Sequence, residues 1–267
     1  MMKKLFSKQN RALLSELVRT DFKLRYQGSV LGYAWSLLRP LLLFVILYIV
    51  FVKFLKLGTE VPHFPVYLLL GLVIWNFFAE MTSQSLGSIV GRGDLIRKIR
   101  IPRWMIVISS SVSALINLAL TLIVIVMFMV INHVDLMRSA VFFPFILLQL
   151  YLLALGISLI LATLFVKYRD MSYIWEVIMQ AGFYATPIIY PISKITNTQY
   201  QKILILNPVA TAVQDARYSL VTHSTVTIDS LFVNHYARLI PYSITILLVF
   251  IGILYFKRSA PHFAEDL

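Results

Sequence analysis

The chain has 267 residues, 59% of them hydrophobic and only 13% charged, with a mean hydropathy of +0.81. That usage excludes a soluble globular domain and describes a polytopic membrane protein. Cysteine is absent and the five histidines show no ligand spacing, which excludes a disulfide framework, a thiol nucleophile and a thiolate metal site; the net charge of +12 must be sorted by side of the bilayer before it says anything about partners.

The first 34 residues are basic, and "SKQNRALLSELVRTDFKLRYQ" sets Leu13 and Leu17 at helical spacing, with Asp21 to Leu24 flanked by Arg19, Lys23 and Arg25. This is the pattern of an amphipathic helix at the cytoplasmic membrane surface. Gly28 and Gly32 follow, suited either to a sharp turn into the membrane or to close helix packing. About 20 apolar residues cross a bilayer, and by that measure six spans are expected, at 35–55, 64–82, 105–131, 140–166, 172–190 and 238–256. The first apolar run begins near Leu37, too far in and too long for a cleavable signal. An even count puts both termini on one side. Seven of the 24 Lys and Arg (Lys53, Lys56, Arg138, Lys194, Lys202, Arg217, Arg238) then fall on the other, four of them in one long loop, so the positive-inside rule places the termini in the cytoplasm. The basic balance is a topology signal with contact to anionic lipid and calls for no nucleic acid. The chain reads as one all-α domain, 1–267, with a cytoplasmic helix in 1–34, spans in 35–256 and a cytoplasmic tail in 257–267.

Polar residues in hydrocarbon are costly unless paired or wet. The second span carries Asn76, Glu80 and Ser83 on one face, the third Ser110, Ser113 and Asn117, the fifth Glu176, Gln180 and Tyr184, and all three stripes are expected to look inward. Small polar residues bonding helix to helix account for the Ser and Asn faces. Glu80 and Glu176 are placed to pair with Arg169 or the basic second loop. Phe44, Tyr48 and Phe51 recur at i, i+4 and i+7 of the first span, and Phe183, Tyr184 and Tyr190 crowd the fifth. Rings offer a flat apolar face to sugar C–H groups, so Phe44, Tyr48, Phe51, Glu176, Gln180, Phe183, Tyr184 and Tyr190 are candidates to line a conduit, against the alternative of lipid-facing or dimer packing.

Between spans two and three, "SQSLGSIVGRGDLIRKIRIPRW" is too polar to insert yet keeps Leu86, Ile89, Val90, Leu95, Ile96 and Ile99 between its charges, as a docking surface broken by Gly91 and Gly93 would. The fifth span ends in "TPIIYP", where Pro187 removes a donor and Pro191 stops regular helix. Beyond it "NPVATAVQDARYSL" has an N-cap Asn207, Pro208 at N1, and Val209, Ala212, Val213, Ala216 and Leu220 on one face. With Asp215 and Arg217 this second amphipathic helix is not a lipid-exposed span; it either dips into the outer leaflet against protein or lies on the external surface. No phosphate-cradling G-x-x-x-x-G-K-[ST] occurs and no nucleophile and base are paired by spacing, so the chain is expected to be neither an ATPase nor another enzyme.

Four segments in order, "DFKLRYQGSVLGYAWSLLRPLL" (21–42), "LIRKIRIPRW" (95–104), "KYRDMSYIWEVIMQAGFYATPIIYP" (167–191) and "NPVATAVQDARYSL" (207–220), resemble the membrane subunit of type-2 ABC exporters of lipid-linked polysaccharide, such as O-antigen or wall teichoic acid. The resemblance implies a bacterial cytoplasmic-membrane homodimer of six-span permeases working with two copies of a separate ATPase, which holds the ATP and Mg²⁺; the chain itself needs no cofactor. It implies that the N-terminal helix is an interface element and that residues 83–103 supply the coupling helix to the ATPase. It also implies that segments after Pro191 act as gate helices, making Pro187, Pro191, Asn207, Pro208 and Arg217 the gate region. A type-2 exporter of a drug or simple lipid, a gradient-driven transporter and a membrane enzyme acting on polyprenyl-linked sugars are the competing expectations.

Overall fold

The computed structural model describes residues 8–26, 31–56, 61–98 and 101–266, and among them every regular element is helical. α1 (Lys8–Tyr26) precedes α2 (Trp35–Leu47), which continues as a π-helical stretch, Tyr48–Phe54. α3 (Phe64–Ser88) leads into a short helix, α4 (Gly93–Lys98). α5 (Trp104–Ile131), α6 (Phe143–Lys167) and α7 (Met171–Ala185) follow. α8 (Thr198–Ile205), α9 (Pro208–Leu220) and the one-turn α10 (Ile228–Leu231) come next. α11 (Leu239–Ser259) and α12 (Phe263–Asp266) complete the chain.

Among the described residues five stretches are long and apolar enough to cross a bilayer: Trp35–Phe54, Phe64–Ser88, Trp104–Ile131, Arg138–Lys167 and Tyr236–His262. The expected span at 172–190 is helical only over the 15 residues of α7. At 1.5 Å per residue that is about 22 Å, short of the roughly 30 Å hydrocarbon core. The backbone reason is in the sequence: Thr186 precedes Pro187 and is pushed into an extended conformation, so the helix stops.

α3 is the axis of the bundle. It is apolar all round from Phe64 to Trp75, and from Val66 to Phe78 only Asn76 escapes full burial, because α5, α6 and α9 surround it. Over its apolar window 78% of residues are buried, against 6% for Trp35–Phe54. The first expected span therefore lies on the outside of the single chain, touching α3 and α5 along one edge only. α6 and α11 form the closest pair: a Cβ on Gly156 would sit 2.7 Å from the backbone nitrogen of Val249, and one on Gly252 2.4 Å from the carbonyl of Gly156. Glycine lets the two backbones approach to that distance.

α9 contradicts a surface location. Eleven of its thirteen residues are buried, and it is seated between α3 and α6, so it dips into the bundle. Its N-terminus is built as the sequence indicates, with the Asn207 carboxamide oxygen accepting from the Val209 N–H at 2.9 Å and Pro208 in the first turn.

Candidate functional site

The break after α7 exposes backbone carbonyls inside the protein, and Arg217 of α9 answers them. Its guanidinium is fully buried and donates to the carbonyls of Pro187 (2.5 Å), Ile188 (2.6 Å) and Tyr67 (2.9 Å), and to the Gln214 side-chain oxygen at 3.0 Å. It also lies over the Tyr67 ring, 3.7 Å from its centre. Five donors in a planar fork suit this cluster of acceptors where a lysine ammonium does not. Space for the fork comes from Gly71, where an added Cβ would stand 2.3 Å from Nη2. Tyr67 and Gln214 complete the network, the phenol donating to Gln214 at 3.3 Å and the Gln214 amide to the Val226 carbonyl at 3.2 Å. Arg238, at the head of α11, then ties Asp215 (2.8 Å) and Asp229 to the last span. Of the five expected gate residues, Pro187, Pro191, Pro208 and Arg217 are buried, Pro187 through a carbonyl that accepts from Arg217, while Asn207 is exposed and caps α9. Tyr67 and Gly71 were invisible as partners, since nothing in an apolar run marks which residue faces an arginine some 150 positions away.

On the flanks of α3 lie two grooves, and its part-exposed polar stripe, Asn76, Glu80, Ser83 and Gln84, borders them. One, between α3 and α7, encloses about 530 Å³ and is lined by Trp75, Ser83 and Leu86 facing Glu176, Gln180, Phe183 and Tyr184. The other, between α2, α3 and α5, encloses about 660 Å³. Glu176, Gln180 and Tyr184 face the α3–α7 groove but are not enclosed by the single chain: α7 buries none of its residues, and Tyr184 is 67% exposed. Phe183 is half-buried against Trp75, and Tyr190 donates its phenol to the Tyr184 carbonyl at 3.1 Å. Phe44 is 4% exposed with its ring edge-on to Phe128 at 5.3 Å, so it packs on α5 of the same chain. Tyr48 and Phe51 are half-buried on that edge.

The serine face of α5 is buried, but Ser110 and Ser113 donate to carbonyls of their own helix, Ile106 and Ser109, and so do not bond helix to helix. Ser111 does, meeting the Tyr151 hydroxyl of α6 at 3.2 Å. Glu80 accepts from Gln84 at 2.7 Å and from the Asn117 amide, and Arg169 stacks on Phe165 instead of reaching a carboxylate in the membrane.

At the end of the bundle that carries α4, the expected docking surface is turned over. Ile89 and Ile96 are buried in a cluster with Val107, Val166, Phe256 and Phe263, and Leu86 is buried at the α3–α7 groove, so in the single chain these three turn inward. Gly91, Asp94, Arg97 and Lys98 face outward, with Val90 and Leu95 half-covered; Ile99 lies outside the described residues. The reason is that α12 folds back beneath α4: Phe263 is 1% exposed, edge-on to Phe256 at 5.4 Å, and Arg103 donates to the Ala260 carbonyl. α1 is tied to the same platform by the Arg92–Asp21 ion pair, with Arg92 also donating to Ser109 at 2.8 Å. A tail of a few residues gave no sequence signal for this role beyond one phenylalanine.

Residues 12–221 match the family described as ABC-2 type transporter. The chain is similar to an O-antigen export system permease protein RfbA of Klebsiella pneumoniae, 29% identical over 256 residues that cover 96% of this chain and 95% of the relative. It is 31% identical to a protein of the same name from Myxococcus xanthus over 202 residues, 75% and 76% of the two chains. The polysialic acid transport protein KpsM of Escherichia coli is 24% identical over 202 residues, 74% of this chain and 76% of that one.

Proposed function

From the premise that the chain belongs to the ABC-2 type transporter family, we propose that it is the permease subunit of an ATP-driven exporter of lipid-linked polysaccharide, working as a homodimer with two copies of an ATPase subunit. The observation that carries the substrate class is end-to-end similarity to O-antigen export permeases, at about the length of those proteins. Polysialic acid transport by a more distant relative supports the same class.

In this reading the protein sits in the bacterial cytoplasmic membrane with both termini inside, and α7 with the non-helical Thr186–Pro191 segment makes the sixth crossing. Two copies place α2 and α7 against each other and enclose the passage. Support comes from the poor coverage of these two helices: Ile46, Ile49, Tyr173, Val177 and Tyr184 are exposed in the single chain. A passage between two such surfaces offers a long chain of sugars aromatic faces without strong fixed hydrogen bonds. The Arg217 staple closes its far end, and α4 with α12 receives the stroke of the ATPase at the near end. ATP and Mg²⁺ belong to the partner; in this chain the residues do no bond chemistry.

The test is reconstitution of the permease with its ATPase in proteoliposomes, measuring ATP turnover and glycan appearance on the far side. Lipid-linked polysaccharide should stimulate turnover and cross only with ATP. Tyr184→Ala should lower glycan export several-fold with the complex intact, because an exposed ring is lost where the sugar slides. Transport of a drug or simple lipid with no response to any glycan lipid would overturn the substrate class.

A further inference from the structure

The groove between α2, α3 and α5 holds an arrangement that the conduit reading does not use. Asn117, 5% exposed, donates its amide N–H to Glu80 of α3. A carboxylate can only accept, so this bond fixes the orientation of the amide and turns its oxygen the other way. That oxygen, Oδ1, is buried with no donor. Glu80 and Asn117 both line the groove, and at its α2 side stands Arg39, whose side chain is exposed. An acceptor left unpaired inside a membrane protein is costly, and a ligand that brings a donor removes the cost. The groove thus has one unpaired acceptor in its wall and one permanent cation at its edge. It encloses about 660 Å³, within the range of sites that hold small molecules.

We propose that this groove binds the hydroxylated phosphate headgroup of a membrane lipid, with Asn117 and Glu80 accepting from hydroxyls and Arg39 pairing with the phosphate. Hydroxyl donors match Oδ1 and the carboxylate, phosphate matches the guanidinium in bidentate fashion, and the acyl or prenyl chain leaves past Trp35 and Leu43, which line the groove's α2 edge and are exposed. Two lipids carry this chemistry: a saccharide linked through phosphate to a polyprenyl chain, and phosphatidylglycerol. Choosing the first as the physiological occupant rests on the proposed export function; the binding chemistry does not.

The full permease–ATPase complex in phosphatidylcholine nanodiscs is offered a polyprenyl-pyrophosphate-linked disaccharide, sugar-free polyprenyl pyrophosphate or phosphatidylglycerol, and retained lipid is counted by native mass spectrometry without ATP. The disaccharide lipid should be retained. Asn117→Leu should weaken that retention about tenfold, the scale of one unmade buried hydrogen bond, and leave the sugar-free lipid unchanged. Arg39→Gln should weaken both. Retention of phosphatidylglycerol equal to that of the disaccharide lipid, with the same response to the two variants, supports the site and assigns it to bulk anionic lipid. Wild-type retention of every probe by both variants overturns the proposal. If Asn117→Leu does not assemble, Arg39→Gln decides alone, since an exposed side chain at the groove's edge is not needed for folding. Absence of any ATPase response to glycan lipid would count against the export function and leave this binding result standing.

Discussion

The buried arginine of α9 is the residue on which the far end of the molecule depends. Arg217 satisfies three carbonyls from two segments, two of them freed by the helix break at Pro187. Hydrogen bonds to a charged donor contribute roughly 1.5–3 kcal/mol each, and an orphaned buried acceptor costs about 1–3 kcal/mol. Arg217→Lys keeps the charge but offers one point in place of the fork, so it should lower the stability of the purified permease by about 3–5 kcal/mol. Gly71→Ala should act in the same direction while every polar side chain is kept, because its Cβ would stand 2.3 Å from Nη2 and displace it. Thermal unfolding of the two variants checks both, and a double variant no worse than the worse single would show that they break one network. The sequence flagged Arg217 as out of place in an apolar setting, but its partners are backbone oxygens, which leave no mark in a sequence.

At the scale of elements, the outcome for the loop between α3 and α5 turns on which side of an amphipathic helix finds cover. Sequence periodicity located the element and its apolar face. It could not say that α12 supplies the cover, and so the face expected to meet the ATPase is spent on Phe263 and Phe256. Through this cluster α4 is packed directly onto α6 and the end of α11, so a stroke delivered to α4, as in the proposed function, would reach both. Phe263→Ala should leave basal ATP turnover of the complex unchanged while export per ATP falls, with Phe263→Leu restoring most of it, as measured in proteoliposomes. Phe/Trp→Ala truncations in cores cost about 3–5 kcal/mol, so the loss should be accompanied by a lower melting temperature in the alanine variant. α7 teaches a related lesson. Its aromatic and polar face was legible, but its direction was not, since a stripe that looks outward in one chain and inward in a pair has the same spacing.

For the whole molecule, the uneven coverage of its helices is the governing fact. α3 is enclosed, whereas α2 and α7 present rings, Val177 and Ile46 to the outside. Because the chain has no cysteine, a single introduced one has no partner within its own chain, and a cross-linked species of twice the chain's mass reports a second copy. If the proposed homodimer pairs through α7, Val177→Cys should give disulfide-linked dimers in membranes under mild oxidation, and Phe250→Cys, exposed on α11, should give none; the reverse result would place the proposed interface at the last span. By itself the sequence determined what depends on composition and near neighbours. Long apolar runs required a helical membrane protein, Pro187 required a break, and Asn207–Pro208 required a helix start, because hydrocarbon leaves backbone groups no partners outside helices and proline removes one donor wherever it stands. Only the tertiary structure decided that α9 enters the bundle, that its arginine repairs the break, and that the tail closes over α4. Those outcomes rest on contacts between segments far apart in the chain, where space, such as the missing Cβ of Gly71, selects one partner among many chemically equal ones.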